Sequence, residues 1–161
     1  MVKSFFEGTM NTLNTQSAVK ASPFSSLKMN HSAIRVPDLE AAVTWYAEKL
    51  DFRLKQSVPV AGLTFAFLYP AADDSFHFEV LAGSNAESRP FYKDLHDSYG
   101  MSGWHHIGFQ VENVDNAINE LKRRGVTIVS EPHDVPALAL RVAFFADPWG
   151  NLFEMIESLT H

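Results

Sequence analysis

The stretch NHSAIRVPDLEAAVTWY, Asn30–Tyr46, is echoed by HHIGFQVENVDNAINEL, His105–Leu121. Laying His31 on His106, an offset of 106 − 31 = 75, carries Val36 onto Val111, Leu39 onto Val114, Ala42 onto Ala117 and Val43 onto Ile118. The offset returns further along the chain. FHFEVL (Phe76–Leu81) falls on NLFEMI (Asn151–Ile156), with Phe78 on Phe153 and Glu79 on Glu154. One displacement therefore repeats an apolar pattern, lays a histidine on a histidine and lays a glutamate on a glutamate. The chain reads as one unit written twice.

Each unit carries the same order of local signals. Asn30–Val36 is strand-compatible, and Pro37-Asp38 closes it and opens a helix whose Leu39, Ala42, Val43, Tyr46 and Leu50 form one apolar stripe. Strands follow at Phe52–Val58, Leu63–Tyr69 and His77–Ala82. In the second unit the strand is His106–Val111 and the helix Asp115–Arg124, stopped by Gly125. Three more strands follow, Val126–Ser130, Ala139–Phe145 and Leu152–Ser158, the last two joined by the turn DPWGN. The expected fold is α+β: two βαβββ modules, residues 29–82 and 104–161, joined by a connector at 83–103. Neither module has enough strands to shield a core alone, so the two should pair about a pseudo-two-fold axis. Residues 1–28, rich in Ser, Thr, Asn and Gln with Phe5, Phe6 and Met10, read as an N-terminal arm.

Bulk properties narrow the function. With 161 residues, 46% of them hydrophobic, the chain can bury one good core. A formal charge of −6 argues against nucleic acid or an anionic membrane as partner. The absence of cysteine removes disulfides, thiolate metal sites and Cys nucleophiles. No apolar run approaches the roughly 20 residues that span a bilayer, and the N-terminus lacks the apolar core of a signal peptide. A cytoplasmic protein acting on a small molecule is expected.

Strand alternation assigns the faces. Ile34 and Val36 must lie under the first helix, so His31, Ala33 and Arg35 face away from it into a concavity. The second copy sends Ile107, Phe109 and Val111 under its helix, and His106, Gly108 and Gln110 into the concavity. His106 is therefore the inward histidine and His105 a residue of the helix side or rim. The last strands add His77, Glu79 and Leu81, and Leu152, Glu154 and Ile156. A glutamate among apolar strand residues needs a partner, because an unpaired buried carboxylate is costly. Two His and two Glu at equivalent positions are the usual protein ligands of Zn, Ni, Fe or Mn. One divalent ion near the pseudo-two-fold axis would take all four. His77 adds a polar group beside Glu79, and Phe65, Phe67, Tyr69, Phe144, Phe145 and Trp149 crowd the strands and turn around the concavity.

At HSAIRVPDLEAAVTWYAEKLDF, HFEVL, HHIGFQVEN and DPWGNLFEMIE the chain resembles the vicinal-oxygen-chelate superfamily, which includes glyoxalase I, methylmalonyl-CoA epimerase, extradiol dioxygenases, and fosfomycin and bleomycin resistance proteins. The resemblance spans about residues 29–158, which would form one domain of the glyoxalase fold. It implies metal ligands at His31, Glu79, His106 and Glu154. In that superfamily the module pair forms within one chain or by exchange between two; an unpaired sheet edge and the Phe-bearing N-terminal arm, both seeking cover, favour a homodimer. The first-strand arginine that contacts glutathione in glyoxalase I corresponds to Arg35; the asparagine that does so corresponds to Gly83, which has no side chain to offer.

The implied activity is that of a glyoxalase I-like lyase or isomerase. The metal polarises a vicinally oxygenated substrate, and Glu79 or Glu154 moves the proton. The resemblance favours Glu154 as the mobile base; symmetry alone does not choose. Arg35, His77 and Gln110 are the candidate substrate-binding residues. Two alternatives remain. An iron(II) extradiol dioxygenase would use His31, His106 and Glu154 and leave Glu79 surplus. A metal-free antibiotic-binding protein would ordinarily have apolar or mismatched residues at the four positions.

Overall fold

The computed structural model describes residues 23–159; residues 1–22 of the expected arm lie outside the described residues. The first module comprises β1 (His31–Val36), α1 (Leu39–Leu50), β2 (Arg53–Val60), β3 (Leu63–Tyr69) and β4 (His77–Ala82). The second comprises β5 (His106–Gln110), α2 (Val114–Arg123), β6 (Thr127–Val135), β7 (Leu140–Ala146) and β8 (Leu152–Ser158). Each forms one sheet with the same topology, in the order β1-β4-β3-β2 and β5-β8-β7-β6. The first strand of each runs parallel to the fourth, and the other pairs are antiparallel. The repeat read from the offset of 75 is thus a repeat of topology.

Equivalent residues start both helices. Asp38 Oδ1 accepts the Ala41 amide at 2.7 Å, and Asn113 Oδ1 accepts the Asn116 amide at 2.8 Å. Each satisfies one of the amides that a helix N-terminus leaves without a partner. The positions again differ by 75. With Asn113 as cap, α2 begins at Val114, one residue earlier than expected.

β3, β4 and β8 have the bounds expected; elsewhere strand ends shift by one residue, and two edge strands run longer. β2 reaches Val60 through Pro59, and β6 reaches Val135 through Pro132. Proline reads as a strand breaker, but at the outer edge of a sheet it removes no ladder hydrogen bond. β6 absorbs its extra residues through irregularities between Ile128 and Ser130 and between Ser130 and His133. The β2–β3 turn uses Ala61 and Gly62, both left-handed, at φ 49° and 84°; that twist suits a two-residue hairpin. The connector holds a short 3₁₀ turn at Asp97–Gly100, and β7 starts only after Ala139, which adopts φ 52° to close the turn Pro136–Leu138.

The modules pack through their helix-bearing faces around one shared core. Ring centroids of Phe78 and Phe153 lie 5.9 Å apart, those of Phe52 and Phe109 5.8 Å, and those of Tyr46 and Phe153 6.2 Å. Burying each such aromatic contributes about 1.5–3 kcal/mol, so this contact dominates the association of the two modules. Arg124, at the end of α2, adds a polar clasp. Its guanidinium donates to the Glu48 carbonyl at 3.1 Å and to both carboxylate oxygens of Asp51 at 2.9 and 3.0 Å.

A second link is buried. The Tyr46 hydroxyl donates to Asp147 Oδ2 at 2.6 Å, and Asn151 Nδ2 donates to the same oxygen at 2.7 Å. The amides of Trp149 and Asn151 donate to Oδ1. Asp147 is only 2% exposed. Burial pushes its carboxyl up, and these four bonds oppose that shift. Tyr46→Phe leaves Oδ2 with one donor in a buried setting, which costs about 1–3 kcal/mol. Urea denaturation is expected to show that loss with an unchanged slope; a loss within a few tenths would mean that the link is dispensable.

Among the described residues no helix is long and apolar enough to cross a membrane.

Candidate functional site

Because the helix-bearing faces meet, the opposite face of each sheet looks outward. On the first sheet the parallel register sets Ala33 beside Glu79 and His31 beside His77. His31 Nε2 lies 3.7 Å from Glu79 Oε2. On the second sheet Gly108 sits beside Glu154, and His106 Nε2 lies 3.1 Å from Glu154 Oε2. A phenylalanine stands across from each glutamate, Phe67 from Glu79 and Phe144 from Glu154. The two outer faces carry equivalent His–Glu pairs.

The alternation read from the sequence holds. Phe78 and Val80 are buried between the sheets, as are Phe153 and Met155, while the glutamates between them face outward. The carboxylates are the sheltered members of the pairs. Side-chain exposure is 12% for Glu79 and 15% for Glu154, against 42% for His31 and 31% for His106. Gly108 makes room for this packing: a Cβ there would meet Ile156 Cδ1 at 2.7 Å and Glu154 Oε2 at 3.5 Å.

The four residues do not gather within one chain. Among the described residues no group of three or more His, Asp or Glu side chains could hold a metal ion. Helix-face packing leaves the two His–Glu pairs on separate sheets, and among the described residues of one chain they do not form the single axial site expected. Each His–Glu pair suits a divalent ion in chemistry, offering one imidazole nitrogen and one carboxylate oxygen; beside the second, Tyr92 and Leu95 of the connector pack on Val142, Phe144 and Leu152.

The remaining candidates fall around these pairs. Arg35 lies on the His31 face, where Nη1 donates to the carbonyls of Val36 and Leu81. No carboxylate among the described residues pairs with it. Gly83 is filled by its neighbours: a Cβ would meet Leu63 Cδ2 at 2.7 Å and Arg35 Nη2 at 3.3 Å. Gln110, equivalent to Arg35, is exposed on the second face. His77 is enclosed by rings, stacked on His31 at 5.1 Å and near Phe67 and Tyr69. Burial lowers the pKa of His77 and of His105, and repulsion from His31 and His106 respectively adds to it. Phe65, Phe67, Tyr69 and Phe144 line the outer faces, whereas Phe145 and Trp149 belong to the shared core. Sequence reasoning missed two residues that touch the histidines, Asn30 and His105. A cavity of about 310 Å³ runs along the sheet edges at β1 and β5, with Met29, His31, Arg89, Trp104 and His106 among its lining.

The repeated βαβββ chain has known relatives. A family model described as Glyoxalase/Bleomycin resistance protein/Dioxygenase superfamily matches residues 28–155. The chain belongs to this superfamily. Within the superfamily it is 29% identical over 138 residues to a probable chloroplastic lactoylglutathione lyase of Arabidopsis thaliana; the match takes 81% of this chain but only 35% of that protein's length. It is 27% identical over 157 residues to the mitochondrial methylmalonyl-CoA epimerase of Bos taurus, covering 91% of this chain and 86% of the relative. Among solved superfamily structures, a glyoxalase family protein from Enterococcus faecalis superposes with a TM-score of 0.67 at 23% identity, over 81% of this chain and 97% of the other. That last likeness is one of fold.

Proposed function

We propose that this superfamily member is a divalent-metal-dependent lyase or isomerase of the glyoxalase I-like type, with each metal site completed between two copies of the chain. The observation that carries the reading is the pair of half-sites: His31 with Glu79 on one outer face, His106 with Glu154 on the other. β1 and β5, which bear the histidines, are both edge strands. A two-fold-related copy can set its β5 edge against β1 and its β1 edge against β5, an isologous contact that also covers unpaired strand edges. His31 and Glu79 of one chain then face His106 and Glu154 of the other, twice per dimer.

A bound ion supplies Lewis-acid polarisation of two neighbouring substrate oxygens, which acidifies the adjacent C–H. The chain's own residues do the rest. Glu154 takes the proton from one carbon while Glu79, protonated across the site, gives one to the next, and proton exchange with water resets the pair. Arg35, with no acidic partner among the described residues, binds an anionic group of the substrate, and Gln110 offers an amide from the opposite wall. Phe65, Phe67, Phe144 and Tyr69 supply apolar walls for a small vicinally oxygenated substrate. The packing of Leu63 and Arg35 around Gly83 supports a substrate held without a side-chain contact there.

The test joins light scattering to metal analysis. The expected result is a dimer with one ion per chain that releases its metal when diluted to monomers; a monomer with full metal content would overturn the shared site. The metal-loaded protein, given hemithioacetals and catechols in an oxygen electrode, should convert substrate without consuming oxygen.

A further inference from the structure

Each candidate ligand histidine is touched, at its second ring nitrogen, by the residue that precedes it. Asn30 Oδ1 lies 2.8 Å from His31 Nδ1, and His105 Nδ1 lies 2.7 Å from His106 Nδ1. Positions 30 and 105 differ by the same 75 residues as the histidines themselves. The two modules solve one problem with different side chains.

Hydrogen-bond capacity decides where the protons sit. An amide oxygen can only accept, so the proton between Asn30 and His31 belongs to His31 Nδ1. In the second module the argument starts one step back. The Ser98 hydroxyl, buried at 1% exposure, donates its only proton to the Leu95 carbonyl at 2.6 Å. At its 2.7 Å contact with His105 Nε2 the serine oxygen must therefore accept. That places a proton on His105 Nε2 and, in a neutral ring, a lone pair on His105 Nδ1. The remaining proton lies on His106 Nδ1. In both modules this leaves Nε2 without a proton facing a carboxylate, at 3.7 Å from Glu79 and 3.1 Å from Glu154; two acceptors then face each other, an arrangement that a cation between them would satisfy. Tyr99 stacks on His105 at 5.6 Å and 23°, which holds the relay ring in plane.

We propose that Asn30 and His105, the latter anchored by Ser98, are positioning residues that lock His31 and His106 in the Nδ1–H tautomer and so present two Nε2 lone pairs to a divalent ion. A histidine ligand is commonly oriented by a partner on its other nitrogen, and removing such a partner costs about 10–100-fold in metal affinity. His105, which strand alternation assigns to the rim as a bystander, acquires this role because it lies just before β5, where pleating does not yet dictate its direction. Both contacts lie within one chain, so the lock forms whether or not a second copy is bound.

The proposal rests on reading His31 and His106 as ligands, and the experiment separates the two claims. Nitrogen-15 spectra of the metal-free protein, taken at about pH 8, above the usual imidazole range, should show both rings protonated at Nδ1. Asn30→Ala should release His31 alone and His105→Ala should release His106 alone. His105→Asn, which copies the first module, should restore the lock. Zinc affinity, measured by competition with a chelating dye, should fall about 10–100-fold in the two Ala variants and recover in His105→Asn. Finding Nε2–H rings in the wild type, or tautomers unmoved by the Ala variants, would overturn the proposal. Locked tautomers in a wild type that binds no zinc would support the lock and overturn the metal reading.

Discussion

Mixing His31→Ala chains with His106→Ala chains is expected to restore metal sites that neither variant forms alone. Each variant by itself has one ligand missing from every site, whichever way the modules pair. In the mixed dimer the intact first module of the His106→Ala chain meets the intact second module of the His31→Ala chain. One of its two sites is then complete. Random reassortment makes about half the dimers mixed, so roughly one quarter of the wild-type sites should reappear. Metal content and activity should recover together. If each site were built within a single chain, every site in the mixture would still lack a histidine, and both readouts would stay at the level of the separate variants. The Phe78–Phe153 and Phe52–Phe109 contacts bring the helix-bearing faces together, and the two His–Glu pairs, which do not gather among the described residues of one chain, make recovery the expected outcome.

The second large effect concerns Glu79. Glu79→Gln preserves shape and one ligating oxygen but removes charge and basicity. Much of the metal should stay while the rate falls by about 10²-fold or more, the scale of a lost general acid–base group. The residue has no other evident duty: it faces outward beside Ala33 and His31 and is not part of the shared core. An iron-dependent dioxygenase would behave otherwise. Three ligands, His31, His106 and Glu154, would suffice for it, so Glu79→Gln would be tolerated. Stoichiometric oxygen uptake with a catechol, unaffected by this change, would replace the lyase or isomerase reading with ring cleavage.

Both predictions draw on features that differ in how far they can be read from the chain alone. The Asn113 cap emerged only from the structure, whereas the repeat, the order of strands and helices, the start of the first helix at Pro37-Asp38, and the parity that turns His31, Glu79, His106 and Glu154 away from the helices are all legible in sequence. Each depends on local periodicity or on the offset of 75, and a strand that buries Val80 and Phe78 must turn Glu79 the other way. The long edge strands were hidden because Pro59 and Pro132 are compatible with a strand only at an edge, and edge position is a property of the sheet. The roles of Asn30 and His105 were hidden because alternation holds only inside a strand and both precede one. Tertiary structure alone decided that the modules meet through their helix faces. That choice follows from the aromatic rings of Tyr46, Phe52, Phe78, Phe109 and Phe153 burying one another across sequence separations that no local pattern encodes. Hydrophobic burial is non-directional and rewards whichever apolar faces fit best, so a His–Glu pair repeated twice in sequence can still be left as two separate pairs among the described residues of one chain.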